Sequence, residues 1–215
     1  MIVMKFGGTS VQDEEAIGRV ISIVGSRLVE KPLVVVSALA RVTKVLCAIA
    51  QEAKALLNER PDLLENCLKD IEARISHLER FVTGVCQIGE LSLRSEARII
   101  STGELLSSTI IAYAFNARGI SCNWIDARRM ITTNDNYMSA RPDLEITEAN
   151  VKRIIGMESK GVDLVLTQGF IASTSEGSTS VLGFEGSDYS AAIFGMALGA
   201  SRVEIWTDVD GIRSA

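Results

Sequence analysis

The sequence is poor in residues that bind metal ions or form disulfide frameworks. It contains one histidine, His77, and four cysteines that form no CxxC pair. The cysteines are Cys47, Cys67, Cys86 and Cys122. Zinc sites need several such ligands at short spacings, and disulfide frameworks are typical of smaller secreted chains. We therefore predict no metal site built from protein ligands, and free thiols in a reducing compartment, the cytoplasm.

Long apolar runs and basic stretches are also missing. No apolar run reaches the roughly 18 residues of a membrane-spanning helix, and the apolar part of residues 1–8 is too short for a signal peptide. The 22 basic and 27 acidic residues give a net charge of -5, without a basic stripe. Neither a membrane nor nucleic acid is therefore expected as a partner. The length of 215 residues fits one sizeable α/β domain.

Short apolar runs alternate with stretches of helical periodicity. The runs that predict strands are residues 2–6, 33–36, 120–125, 162–166 and 203–207. The segments that predict helices are residues 13–29, most of 42–116 with breaks near positions 61, 84 and 103, 147–161, and 187–198. Residues 171–182 favour a hairpin or loop. The alternation predicts an α/β fold, a three-layer α/β/α sandwich with a mainly parallel sheet.

Glycines and polar residues follow the predicted strands. Gly7 and Gly8 follow the first, Ser37 the second, Gly169 a later one, and Thr207 with Asp208 the last. Ligands of parallel sheets bind at the carboxyl ends of strands. A functional site is therefore expected at this edge.

The first of these turns has a lysine in an unusual place. In a Walker A loop the lysine follows the glycines, whereas Lys5 precedes Gly7 and Gly8 on the strand. Two glycines allow a close backbone approach, and the next helix would offer free amides to an anion. The residues alone leave two interpretations open, a phosphate or carboxylate cradle and a tight turn with a surface lysine.

Seven short motifs occur in one order along the chain. They are KFGGTSV (5–11), VSA with VT (36–38 and 42–43), TGEL (102–105), DAR (126–128), TQGFI (167–171), GSDYS (186–190) and WTDVDG (206–211). Together they resemble motifs of the aspartokinases of the amino acid kinase family. TGEL resembles the motif that begins a helix in that family. The resemblance implies transfer of the ATP γ-phosphoryl group to the β-carboxylate of L-aspartate, the first step of lysine, threonine and methionine biosynthesis, with ATP and Mg as cofactors.

This reaction agrees with the residues that are present. The attacking carboxylate is ionised at neutral pH, since the pKa of free aspartate is about 3.9. No general base is required, and catalysis consists mainly of positioning and of stabilising negative charge.

The resemblance assigns roles residue by residue. Lys5 and Asp188 would be catalytic, Lys5 stabilising the transferred phosphoryl group and Asp188 orienting the cations. The substrate would be bound by Ser37, Thr43 and Glu104, with Glu104 pairing with the ammonium group. The residues expected to bind the cofactor are Lys5, Gly7, Gly8, Ser10, Thr207 and Asp208. Two structural alternatives stay open: Glu104 as an exposed acid in a first helical turn, and Asp188 with Ser187 as a simple N-cap.

Two departures from the family pattern affect the expectation. Phe184 stands where the family has an arginine that clamps the α-carboxylate of aspartate, so the aspartate site is expected to be weakened or altered, unless Arg41 or Arg141 substitutes. The chain ends soon after Gly211, so we expect an incomplete kinase domain with little activity alone. Residues 1–180 would form the amino-acid lobe and 181–215 the start of the nucleotide lobe.

Alternative functions follow from these departures. The chain could act on another carboxylate or carbamate substrate, or serve as a non-catalytic amino-acid-binding or assembly domain. A homodimer is expected only by analogy with the family.

Overall fold

The computed structural model describes residues 1–38 and 60–207. These ranges contain eight strands and five α-helices. The strands are β1 (Val3–Phe6), β2 (Leu33–Val36), β3 (Cys122–Ile125), β4 (Thr132–Thr133), β5 (Leu164–Gln168), β6 (Ile171–Thr174), β7 (Thr179–Val181) and β8 (Val203–Trp206). The helices are α1 (Glu14–Gly25), α2 (Pro61–Ile88), α3 (Leu93–Ala117), α4 (Leu144–Glu158) and α5 (Gly186–Leu198).

Five strands form one parallel sheet in the order β3-β5-β2-β1-β8. In the register of this sheet, Val3 of β1 lies opposite Leu33 of β2 on one side and Val203 of β8 on the other. The remaining three strands form a small separate sheet, in which β6 and β7 make an antiparallel hairpin. The prediction of a mainly parallel sheet is confirmed, as is the hairpin.

Both faces of the main sheet are covered by helices. Because side chains alternate along a strand, Val3 and Val35 point to one face, where they pack with α4 and α5. Met4 and Val34 point to the other face, where they pack with α1, α2 and α3. Strands buried on both faces read as continuous apolar runs, which explains why they could be found in the sequence. The result is the expected three-layer α/β/α sandwich.

The helical segment before β3 differs from the expectation. Helix α2 continues through Gly84 and α3 through Gly103, so the breaks predicted at those positions are wrong. The turn lies instead at Gly89, whose φ of 75° ends α2, and Ser92 caps α3 by accepting a hydrogen bond from the Ser95 amide. A glycine inside a helix costs only about 1 kcal/mol, which the packing of α2 on α3 offsets.

Among the described residues, Cys67, Cys86 and Cys122 are free thiols. In the part of the chain that the structure describes, no helix has both the length and the apolar character needed to cross a membrane.

Candidate active site

An ion pair joins the first strand to the start of α5. Lys5 is only 8% exposed, and its Nζ lies 2.5 Å from Oδ1 of Asp188, in the first turn of α5. Lys5 shares its sheet face with Val3, and α5 packs on that face. The pairing offsets part of the cost of burying the ammonium group. It holds a positive charge at the carboxyl end of β1.

A buried carboxylate lies on α3. Glu104 is 6% exposed and lies in the middle of α3, which rules out the exposed first-turn alternative. Burial raises the pKa of Glu104 to about 8, against the opposing effects of the Ala38 backbone amide and the Lys5 charge. Within residues 1–38 and 60–207, its Oε2 atom has no hydrogen-bond partner. The site can therefore accept a hydrogen bond from a cationic ligand.

Four of the predicted site residues line one cavity. Lys5, Ser37, Glu104 and Asp188 surround a space of about 370 Å³ at the carboxyl end of the sheet. The other lining residues are Phe170, Gly183, Glu185, Gly186 and Ser187. This volume is within the usual range for small-molecule sites. The structure thus brings together the residues predicted to handle the amino acid and the phosphoryl group.

The turn after β5 carries Gly169, which was expected at this edge, and Phe170, to which sequence reasoning assigned no role. Phe170 has a φ of 69°, which is unusual for a residue with a side chain. Its amide donates to Ser190 Oγ at 2.9 Å, and that hydroxyl donates to the Gly186 carbonyl at 2.8 Å. A Cβ at Gly169 would lie 2.7 Å from the Ser187 Cα atom. The TQGFI and GSDYS motifs were the sequence signal for this contact, since residues of the first motif pack against residues of the second at the start of α5.

The two glycines after β1 differ in what they can offer a ligand. The Gly7 amide donates to the Trp206 carbonyl at 3.3 Å, so it continues the sheet and is not available to a phosphate. An added Cβ at Gly7 would lie 3.5 Å from Lys5 Nζ, which places this glycine beside the ammonium group. Gly8 begins the short 3-10 helix Gly8–Val11, and the first amides of a helix have no acceptor within it.

Two residues predicted to bind the cofactor lie in another place. Ser10 and Thr207 line a second cavity of about 530 Å³, together with Phe6 and Trp206. The Phe6 and Trp206 rings are stacked with their centroids 6.0 Å apart. Phe6 points to the sheet face opposite Lys5, so the structure divides the predicted residues between two cavities.

Three residues named in the sequence analysis lie outside the described residues: Thr43, Arg41 and Asp208. Phe184 is 95% exposed on the turn before Glu185, which has a φ of 54° and precedes α5. Arg141 is exposed and is not among the described residues that line the Lys5 cavity.

Acidic and other metal-binding side chains do not cluster in the described part of the chain. Across residues 1–38 and 60–207, no three histidine, cysteine, aspartate or glutamate side chains are arranged to hold a metal ion.

Comparison with known proteins gives consistent matches along the whole chain. A model of the amino acid kinase family matches residues 1–215. The lysine-sensitive aspartokinase 3 of Escherichia coli (strain K12) is 35% identical over 226 residues, which cover 99% of this chain and 50% of the relative. An aspartokinase of Chlamydia muridarum is 33% identical over 225 residues, which cover 100% of this chain and 49% of the relative.

The fold matches a solved structure equally well. The crystal structure of E. coli aspartokinase III in complex with aspartate and ADP superposes with a TM-score of 0.83 at 33% identity. The match covers 99% of this chain and 50% of that chain. The chain thus spans about half the length of the curated relatives and the structure that it matches.

Proposed function

Because this chain belongs to the amino acid kinase family, we propose that it forms the catalytic part of an aspartokinase, which transfers the γ-phosphoryl group of ATP to the β-carboxylate of L-aspartate. The observation that carries the proposal is the meeting of Lys5, Glu104 and Asp188 at one cavity. The match to a structure described with aspartate and ADP supports it.

Glu104 is suited to recognising the ammonium group of an amino acid. Its Oε2 atom has no hydrogen-bond partner among the described residues, and the carboxylate is buried at the cavity. An ammonium group would supply both the missing hydrogen bond and a charge that favours the ionised carboxylate. Ser37, at the same cavity, and Thr43, outside the described residues, would bind the rest of the amino acid.

Lys5 would act on the transferred phosphoryl group. The carboxylate nucleophile needs no general base, so the barrier is set by charge and alignment. A positive charge held by β1 and by Asp188 is in place before the reaction begins, and such preorganised charge lowers the barrier most. Asp188 would keep the ammonium group directed into the cavity.

The nucleotide would be bound near the end of β1. We assign it to Lys5, Gly8, Ser10, Thr207 and Asp208, with Gly7 contributing a close backbone approach in place of an amide donor. When bound, Mg²⁺ neutralises phosphate charge, and it usually takes one or two carboxylates along with phosphate oxygens and water. Asp188, at the Lys5 cavity, would orient the catalytic cations by hydrogen bonding.

The organisation of the protein is part of the same proposal. Residues 1–180 would form the amino-acid lobe, and residues 181–215 would begin the nucleotide lobe. We propose a cytoplasmic enzyme that forms a homodimer, by analogy with the family.

One observation favours a different substrate. Phe184 replaces the family arginine, so one cation that would hold the α-carboxylate of aspartate is missing. A related kinase acting on glutamate or carbamate is therefore the second candidate.

A hydroxamate assay for acyl phosphate tests the proposal on the full-length protein that contains these residues. With ATP and Mg²⁺, aspartate is expected to give product, whereas glutamate and carbamate give little. Preference for glutamate or carbamate would favour the second candidate. Activity with none of the three would refute both.

A further inference from the structure

A concentration of positive charge lies away from the proposed active site. Between α2, α3 and the turn of the β6–β7 hairpin there is a cavity of about 620 Å³. Five of the residues that line it are arginines: Arg74, Arg80, Arg94, Arg98 and Arg128. We refer to it as the arginine cavity. In a chain with a net charge of -5, gathering five cations around one concave space is unexpected.

Helical spacing brings these side chains together. Arg74, His77 and Arg80 follow one another at three-residue intervals on α2, and Arg94 and Arg98 are four residues apart on α3. Residues at such spacings share one face of a helix. Because α2 and α3 pack side by side, both faces border the same space.

Ring contacts hold two of the guanidinium groups in position. The Arg74 Cζ atom lies 4.7 Å from the centroid of the Trp124 ring, and the Arg98 Cζ atom lies 4.3 Å from that of Phe81. Arg98 Nη2 also donates to His77 Nε2 at 2.5 Å. Stacking of this kind orients a guanidinium group and leaves its charge unneutralised.

Carboxylates compensate only part of this charge, and the charges of Asp126 and Asp70 also act on Arg74. Arg128 is paired with Asp126 at 2.6 Å. Asp70, the one carboxylate among the described lining residues, accepts a hydrogen bond from the Tyr113 hydroxyl at 2.8 Å. Within the described part of the chain, the other four arginines of the cavity form no ion pair with a carboxylate. In the same ranges, the buried Nε of Arg74 has no hydrogen-bond partner.

We propose that the arginine cavity binds a small anion that carries two or more phosphate groups, at a site separate from the Lys5 cavity. Guanidinium groups bind phosphate through paired hydrogen bonds, and several unpaired forks suit a ligand with several phosphates. The volume suits a small molecule. The cations surround a concavity and form no extended stripe, which disfavours nucleic acid. This inference does not depend on the proposed kinase activity.

Calorimetric titration with inorganic tripolyphosphate at constant ionic strength tests the proposal. The wild-type protein is expected to bind saturably at the arginine cavity. Arg94→Gln/Arg98→Gln removes two exposed guanidinium groups and is expected to weaken binding about tenfold or more. The control Arg118→Gln/Arg153→Gln makes the same charge change at exposed positions outside the cavity and should alter the affinity by less than about twofold.

Further variants separate this site from the proposed active site. Lys5→Met should leave tripolyphosphate binding at the arginine cavity intact. Arg80→Gln, a single change on α2, should weaken that binding less than the double variant does. The proposal is overturned if no saturable binding occurs, or if the Arg94→Gln/Arg98→Gln protein binds as the wild type does. Loss of binding in Lys5→Met would place the ligand at the Lys5 cavity and would also overturn it. Self-association that depends on Arg94 and Arg98, without tripolyphosphate binding, would show that a second copy occupies the cavity and would also overturn it.

Discussion

Lys5 and Asp188 come from distant parts of the sequence, yet their charged atoms lie 2.5 Å apart. The pair links the carboxyl end of β1 to the first turn of α5, beside the cavity that also contains Glu104. Lys5 is almost fully buried, whereas the Asp188 side chain is 43% exposed. Lys5 is thus the more buried partner of the pair. Because the Asp188 carboxylate can be hydrated when Lys5 is removed, the loss of Lys5 should affect function more than folding.

In the full-length protein that contains these residues, Lys5→Met is expected to lower kcat by on the order of 100-fold, because it removes preorganised charge from the transferred phosphoryl group. The fold should persist, because the partly exposed Asp188 carboxylate can be hydrated after the change. Circular dichroism measures this. Lys69→Met, at an exposed position of α2, is the matched control and should leave kcat unchanged. A Lys5→Met protein with kcat close to that of the wild type would exclude a catalytic role for this residue.

Aspartate binding should strengthen several-fold as the pH rises from about 6.5 to 8.5. Burial raises the pKa of Glu104 to about 8, so near neutral pH this group is mostly protonated in the free protein and must lose its proton to pair with an ammonium group. Calorimetry in buffers of different ionisation enthalpy should detect proton release on binding below about pH 8. In Glu104→Gln, binding should be weaker and the proton release should disappear. Identical profiles in the two proteins would contradict the role assigned to Glu104.

The free energy of unfolding should decrease between about pH 4.5 and pH 8 through the same group. The folded-state pKa of Glu104 is raised above the ordinary value of 4.5, so in this interval the folded state binds more protons than the unfolded state, and raising the pH favours unfolding. Urea denaturation at several pH values measures the slope. Glu104→Gln should flatten it, whereas Glu79→Gln, an exposed change on α2, should not.

Gly169→Ala is expected to destabilise the fold by about 1–3 kcal/mol. The new methyl group would lie 2.7 Å from the Ser187 Cα atom, and backbone must move to relieve that contact. Gly18→Ala, on α1, is the control, because its methyl group would meet nothing within 4 Å. This change should stabilise the helix by about 0.5–1 kcal/mol. Equal effects on the melting temperature would show that the Gly169 contact is not required.

Phe184→Arg is expected to lower the KM for aspartate by about tenfold or more, if a missing charge-assisted hydrogen bond weakens the present site. Phe184 is 95% exposed and precedes Glu185 and Gly186, both of which line the Lys5 cavity. Phe184→Ala removes the ring without adding a charge and should not improve KM. The hypothesis fails if the arginine variant gains no affinity.

Parts of this structure follow from local patterns in the sequence. The central strands β1, β2 and β5 are buried on both faces, so each appears as a mostly apolar run, and strand ends mark where ligands bind. Ser37 and the turn beside Lys5 were therefore expected at a common edge, and Lys5 and Ser37 line one cavity; Asp188, which lines it too, was expected from the family resemblance alone. Helix boundaries were less accurate: α4 begins at Leu144, capped by Asp143, three residues before the predicted start.

Other features depend on tertiary packing that local patterns do not contain. Gly103 appeared to break a helix, but the helix continues and Glu104 is buried on it. The residues predicted to bind the cofactor are divided between two cavities, because their side chains lie on opposite faces of the sheet. No basic stripe was visible because the arginines of the arginine cavity are dispersed along the chain, and only the pairing of two helices gathers them.

The strand order has a consequence for biosynthesis. β1 emerges from the ribosome long before its neighbour β8, which lies near residue 206, and closing so long a loop is entropically slow. Until then the nascent chain carries β1 with one unpaired edge, of the kind that invites intermolecular strand pairing. Lys5 also lacks its carboxylate partner during this interval. Protection of this edge by a chaperone is therefore most valuable before β8 has been translated.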